Sequence, residues 1–552
     1  MFRIPTLLLL LVLASCQQQA NYDLILRNGT VYDGSGSAPV KADIAIAADT
    51  IAAIGDLKDA TAGMTIDVTG LAVAPGFINM LSWANETLIE DGRSQGDIRQ
   101  GVTLEVFGEG NSDGPLNEMM KQMRKRLQGD IKYDIPWTTL RQYLDFLEKR
   151  GVSCNIASFV GATSVRIHEI GYVDRPPTAA ELERMKQLVR QAMEEGAVGL
   201  SSALIYSPAF YAKTDEIIEL AKVAAEYDGL YITHLRSEGD KFLEALDEMI
   251  TIAREAGIRS EIYHMKSAGP KNWDKTDRAI AKIDSARAAG LAITSDMYTY
   301  TAAATGLNAC MPPWVKENGD EVWARRLKDP VVRARLKEEI SDRGENWENF
   351  YELAGTPDNI LLAGFTNDSL KKYTGMTLTE VAAARKSDPV ETIMDLVALN
   401  HQDVSAVYFL MSEENVKKQI RLPYMSFGSD AESQSPEGVF LKSNLHPRAY
   451  GNFARLLGKY VRDEKVITLE EAVRRLTSLP AENLRLDRRG KLTAGYYADV
   501  VIFDPSKITD PATYTKPQQF STGMVHVFVN GTQVIRDGEH TGEKPGRVVQ
   551  RQ

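Results

Sequence analysis

Between residues 70 and 484 short apolar runs alternate with stretches of helical period, and this alternation limits the available folds more than any other feature of the chain. The runs fall at 72–80, 101–107, 155–160, 197–201, 230–234, 260–264, 292–296 and 425–430. Each is short enough for a buried strand and too short for a helix. Between them, stretches such as 178–195, 214–227 and 241–256 repeat apolar residues three and four apart, the spacing of one helix face. Eight strands alternating with helices predict an α/β fold of the (β/α)8 barrel type, with functional side chains gathered where the strands end. A doubly wound open sheet is the main rival, but the glycine-rich phosphate-binding turn that it usually carries is missing. The interval 301–424 is too long for one crossover and predicts an insertion, helical over 321–343 and 379–400.

The two chain ends echo each other. Residues 22–34 read as two short strands joined at Asn28-Gly29, and residues 527–538 repeat the phrase around Asn530-Gly531. Asn-Gly between alternating apolar residues is a strong hairpin signal. With further strands at 43–54 and 498–503, residues 21–69 and 485–552 are expected to build one small β-sandwich beside the barrel.

Residues 1–20 differ from the rest: Arg3, an apolar run over 7–13, then Ala14-Ser15-Cys16 and a polar stretch. This reads as an export signal and is too short for a membrane span. Leu13-Ala14-Ser15-Cys16 resembles the lipobox of bacterial lipoproteins, which implies cleavage before Cys16 and a lipid on its sulfur. The expected location is the bacterial cell envelope, as a periplasmic lipoprotein held to the membrane through that lipid; an ordinary signal with an incidental cysteine is the alternative. Only Cys154 and Cys310 follow, too few for a disulfide framework. With 64 Lys+Arg against 75 Asp+Glu, the net charge of −11 argues against a nucleic-acid partner, whose phosphates demand the opposite sign.

The polar residues that end the predicted strands are Glu109, His234, His264, Asp296 and Asp430. His234 and His264 stand one β/α unit apart, so both should project into the same barrel mouth. Paired imidazoles there suit Zn²⁺, which hydrolytic sites hold with three protein ligands and an open position. Two hydrogen-bonded histidines capping strands are the plainer alternative. A carboxylate such as Asp430, just past the last strand, could take a proton from water and return it to a leaving amine, or could simply cap its own loop.

The sequence resembles the N-acyl-D-amino-acid deacylases, or D-aminoacylases, of the amidohydrolase superfamily. The resemblance covers nearly all of 22–549 and rests on Ala74-Pro-Gly-Phe-Ile78, Gly196-Ala-Val-Gly-Leu-Ser201, Tyr206-Ser-Pro208, Thr233-His-Leu-Arg236, His264-Met-Lys266 and Asp296-Met-Tyr-Thr-Tyr300. It continues through Gly428-Ser-Asp430, His446-Pro-Arg-Ala-Tyr-Gly451, Arg474-Arg-Leu-Thr-Ser-Leu-Pro-Ala481 and Gly495-Tyr-Tyr-Ala-Asp-Val-Val-Ile-Phe-Asp504. It implies a metal-dependent amidohydrolase acting on a small-molecule substrate.

This chain also departs from the family. Where the family carries a His-x-His pair for one metal, it has Leu81 and Trp83. Where the family has a Cys ligand for the other metal, Glu109 is the nearest substitute. The resemblance therefore implies one divalent metal, zinc, on Glu109, His234 and His264, with Asp430 as base and then acid. For substrate binding it points first to Tyr206 and Lys266, then to Arg236, Tyr298, Tyr300, His446 and Arg448. Two other readings stay open: another amidohydrolase, such as a dipeptidase or cyclic-amide hydrolase, and a non-catalytic solute-binding lipoprotein derived from such an enzyme. The oligomeric state is open.

Overall fold

A computed structural model describes residues 21–342, 347–400, 404–444 and 446–551; residues 1–20, with the expected export signal and Cys16, lie outside the described residues. The apolar runs form eight strands: β1 (Phe77–Asn79), β2 (Val102–Phe107), β3 (Asn155–Ser158), β4 (Gly199–Ala203), β5 (Leu230–His234), β6 (Arg259–Ile262), β7 (Ile293–Met297) and β8 (Met425–Phe427). Neighbours pair in parallel, and β3 passes through Phe159 into Val160–Gly161 to reach β4. The ring closes between β1 and β8, where the Met80 N–H donates to Phe427 O at 3.2 Å and Ser82 bridges to Ala431. Strands β2 to β5 are buried at every position, as parallel strands are when helices cover one side and a filled barrel the other.

The helices form where their period places them. Ala179–Glu194 begins at a capping box in which Thr178 and Glu181 satisfy each other's backbone N–H groups, and it lays Met185, Val189 and Met193 against the barrel. Thr214–Ala225 and Phe242–Ala256 follow β4 and β5.

The first apolar run is not one strand. Ala72–Pro75 pairs with Val500–Phe503 in the small domain, and only Phe77–Asn79 enters the barrel. The break is Gly76, where a Cβ would lie 2.0 Å from Thr103 Oγ1. Only a residue without a side chain lets the chain cross from one sheet to the other so close to β2.

The two Asn-Gly pairs also part company. Asn530-Gly531 turns Met524–Val529 into Thr532–Arg536 as a hairpin, both residues taking positive φ. Tyr22–Val31, by contrast, is one continuous strand; the left-handed Asn28 is absorbed in a bulge opposite Val40–Ala47. The small domain is one nine-stranded sheet drawn from both chain ends. Leu24 and Ile44 from the N-terminal end share an apolar cluster with Val500 and Phe528 from the C-terminal end, so the two chain ends are packed together in one domain.

The insertion after β7 has its own apolar core, including Leu307, Leu336, Phe350, Ile393 and Tyr408. Its expected helices are each split at a proline: Asp320–Arg326 from Pro330–Ser341, and Leu378–Arg385 from Pro389–Asn400. Proline lacks the N–H that a helix interior needs but suits a first turn, so each one starts a new helix. The insertion also holds a three-stranded antiparallel sheet of Ala303–Gly306, Ser405–Tyr408 and Ile360–Gly364, which the helical period of 301–424 does not predict. Among the described residues no helix is long and apolar enough to cross a membrane.

Candidate metal centre

A cleft of about 550 Å³ opens at the C-terminal ends of the strands, with the insertion forming one wall through Thr305, Glu348 and Val407. Glu109 enters it from a tight turn after β2. Gly108 takes φ 105°, and a Cβ there would meet Phe159 O at 2.6 Å, so the backbone can bend sharply only with glycine at that position. His234 is the last residue of β5. His264 and Asp430 follow β6 and β8 in left-handed conformations, φ 32° and 49°, which are uncommon outside glycine. Asp296 accepts the His264 backbone N–H at 2.8 Å, so this strand-end carboxylate holds the backbone of His264 in its bend.

Glu109 Oε1 lies 2.9 Å from His234 Nδ1 and 2.8 Å from His264 Nε2, and the two imidazole rings stand 4.4 Å apart at 79°. One potential ligand atom from each of the three residues lies within 4.8 Å of the others, and all three side chains are buried. His234 Nε2, on the far side of the ring from Glu109, is buried and faces Glu238 Oε2 at 3.8 Å. Two imidazoles and a carboxylate form a donor set that Zn²⁺ accepts.

Charge points the same way. Burial raises the Glu109 carboxyl, but His264 and His234 outweigh it and hold the group well below the usual range. Glu238 is driven down similarly: burial raises it, and Lys266, His234 and His264 lower it further. For His264, burial and Lys266 push down while Glu238 and Glu109 push up, leaving the imidazole at about 10. Two buried carboxylates therefore demand positive charge between them. Glu238 stands outside the site residues that the sequence predicts. Its Oε1 lies 2.6 Å from Lys266 Nζ and 3.0 Å from His264 Nδ1, and its place four residues after His234 was the available signal.

Asp430 faces this cluster. Its Oδ2 pairs with an Arg448 terminal nitrogen at 2.9 Å, and its Oδ1 lies 3.2 Å from Trp83 Nε1. Burial raises its pKa, Arg448 and His264 draw it back, Glu109 pushes it up again, and the net direction is upward. A base poised nearer neutrality suits proton transfer in both directions. The Nε and NH1 of Arg448 are buried without partners, and its guanidinium stacks 4.4 Å over the Tyr298 ring. His446 accepts the Arg448 backbone N–H on Nδ1 at 3.0 Å and lies 3.0 Å from Ala302 O through Nε2. Burial and Arg448 keep its pKa far below the usual value, as this neutral bonding pattern requires. Tyr206 lies 5.1 Å from the His234 ring, with its hydroxyl 2.8 Å from Thr305 Oγ1. Tyr206, Lys266, Tyr298, His446 and Arg448 all line the cleft.

Two expected substrate residues do not. Arg236 gives Nε and NH2 to Glu248, each at 2.8 Å, and its remaining donors go to the carbonyls of Phe210 and Ala212. It ties the loop after β4 to the helix Phe242–Ala256. Tyr300 donates to Asp510 and thereby joins the barrel to the connection between two small-domain strands, Val500–Phe503 and Met524–Val529.

Comparisons with known proteins agree with this architecture. A model of the amidohydrolase family matches residues 369–535. The D-aminoacylase of Alcaligenes xylosoxydans xylosoxydans is 32% identical over 538 residues, covering 96% of this chain and 98% of that protein. An N-acyl-D-glutamate deacylase of the same organism is 32% identical, covering 97% of each. Among solved structures, the N-acyl-D-glutamate deacylase of Bordetella bronchiseptica, complexed with zinc and a phosphonate mimic of the tetrahedral intermediate, aligns with a TM-score of 0.79 at 30% identity, covering 96% of this chain and 99% of that one.

Proposed function

The chain belongs to the D-aminoacylase family of amidohydrolases, and we propose that it hydrolyses the amide bond of N-acyl-D-amino acids with one divalent metal ion, zinc. The observation that carries this reading is the convergence of Glu109, His234 and His264 opposite Asp430 in a single cleft. Glu109, His234 and His264 would hold the ion, which would supply Lewis acidity at the site.

The remaining work falls to the chain's own groups. Asp430 takes a proton from the attacking water and delivers it to the departing nitrogen, with Arg448 and Trp83 fixing its two oxygens. A buried guanidinium with unused donors costs about 1–3 kcal/mol for each polar group left unpaired. The free donors of Arg448 thus offer a place for a substrate carboxylate, and the stack on Tyr298 holds the fork in plane. Lys266 and Tyr206 complete this polar wall, and His446 orients Arg448 through its backbone.

The leader supports a location as well: a lipid on Cys16 would hold the enzyme in the bacterial envelope, facing the periplasm. Labelled fatty acid should enter the wild-type protein and not Cys16→Ser.

The direct test is elemental analysis of the purified protein, followed by N-acetyl and N-formyl amino acids of both hands. About one zinc per chain and turnover confined to D-substrates are expected. Zinc-free protein after reconstitution would remove the metal reading, and faster turnover of cyclic imides would replace the deacylase with a cyclic-amide hydrolase.

A further inference from the structure

Trp83 stands between the two carboxylates on which this reading depends. Its indole N–H lies 3.1 Å from Glu109 Oε2 and 3.2 Å from Asp430 Oδ1. The two oxygens of Glu109 are therefore divided: Oε1 faces His234 and His264, and Oε2 takes the indole. The backbone holds the ring in place from both sides. Trp83 N–H donates to Ala431 O at 3.0 Å, and Asp430 N–H donates to Leu81 O at 2.8 Å, lacing the end of β1 to the loop that carries Asp430.

Two carboxylates facing one another in a buried site repel, and the repulsion grows as water is excluded. A donor shared between them offsets that repulsion and fixes their separation. A cation bridging the same oxygens would have the same effect, but the indole is covalently part of the strand end and cannot leave.

We propose that Trp83 is a positioning residue whose single N–H clamps Glu109 to Asp430 and fills the place between them that a second metal ion would need. The inference rests on Glu109 as a ligand and Asp430 as the base. It explains how the centre can work without a histidine at positions 81 and 83, since the tryptophan orients both carboxylates.

Trp83→Phe keeps an aromatic ring and removes the N–H. We expect kcat to fall by about 10-fold or more with KM within about twofold, and zinc affinity against a chelator to weaken by about 10-fold, the usual scale for losing an outer partner of a metal ligand. A tryptophan that served packing alone would change the melting temperature and leave zinc affinity alone. Unchanged kcat and zinc affinity in folded Trp83→Phe would overturn the clamp. If that variant does not fold, calorimetric zinc titration of the wild type decides. One equivalent is expected, and a second equivalent that disappears in Asp430→Ala would overturn the proposal. The zinc readouts need no substrate, so a protein that binds one zinc through the clamp but cleaves no N-acyl-D-amino acid would refute the functional reading alone.

Discussion

Glu238 Oε1 lies 2.6 Å from Lys266 Nζ, and both buried side chains line the cleft beside His264. The same oxygen is 3.0 Å from His264 Nδ1, so this ion pair also sets the orientation of an expected metal ligand. Removing one member of a buried pair leaves the other charge without compensation, which typically costs about 3–5 kcal/mol.

Glu238→Gln should therefore lower stability by a few kcal/mol and weaken zinc binding by about 10- to 100-fold. Denaturant unfolding of the metal-free protein and chelator competition would separate the two effects. Stability loss with unchanged zinc affinity would leave Glu238 no part in orienting His264.

His264→Ala removes one of three donors and should abolish stoichiometric zinc. Elemental analysis after dialysis against zinc is the measurement. A retained full equivalent would take His264 out of the ligand set.

Asp430→Asn keeps the shape of the side chain and removes its basicity. Turnover should drop by at least about 100-fold, the lower range of acid–base catalysis, with zinc content unchanged. Wild-type rates would exclude Asp430 as the proton carrier.

The pH profile carries a further sign. Asp430 must be ionised to accept a proton, so activity falls as pH drops through its pKa, which burial places above the ordinary carboxylate value. Arg448 lowers that pKa through their 2.9 Å contact. Replacing it in Arg448→Met should move the acidic limb of kcat to higher pH, while the loss of a carboxylate partner raises KM. A limb that stays in place or moves down would contradict the pairing.

Arg236 offers a contrast. Its donors are consumed by Glu248 and two backbone carbonyls, so Arg236→Met should lower stability by about 1–3 kcal/mol and leave KM within about twofold. A large rise in KM without loss of stability would return it to the substrate site.

Residue order alone specifies the barrel, because buried parallel strands and amphipathic helices leave periods that can be read along the chain. It also placed His234 and His264 one unit apart at strand ends, and turned Asn530-Gly531 into a hairpin. Contacts between remote segments set what no local pattern contains. The same Asn-Gly phrase became a bulge at Asn28 because Val40–Ala47 pairs along the whole strand. One apolar run served two sheets because Thr103 leaves room at residue 76 only for glycine. Arg236 and Tyr300 occupy motif positions, yet their polar groups bond to Glu248 and Asp510, residues the motif does not contain. Trp83 reads in sequence as a missing histidine. Only the closing of β1 against β8 brings its N–H to Glu109 and Asp430, carboxylates set far apart along the chain. Periodicity fixes which residues are buried; which polar groups then meet depends on contacts between elements remote in sequence.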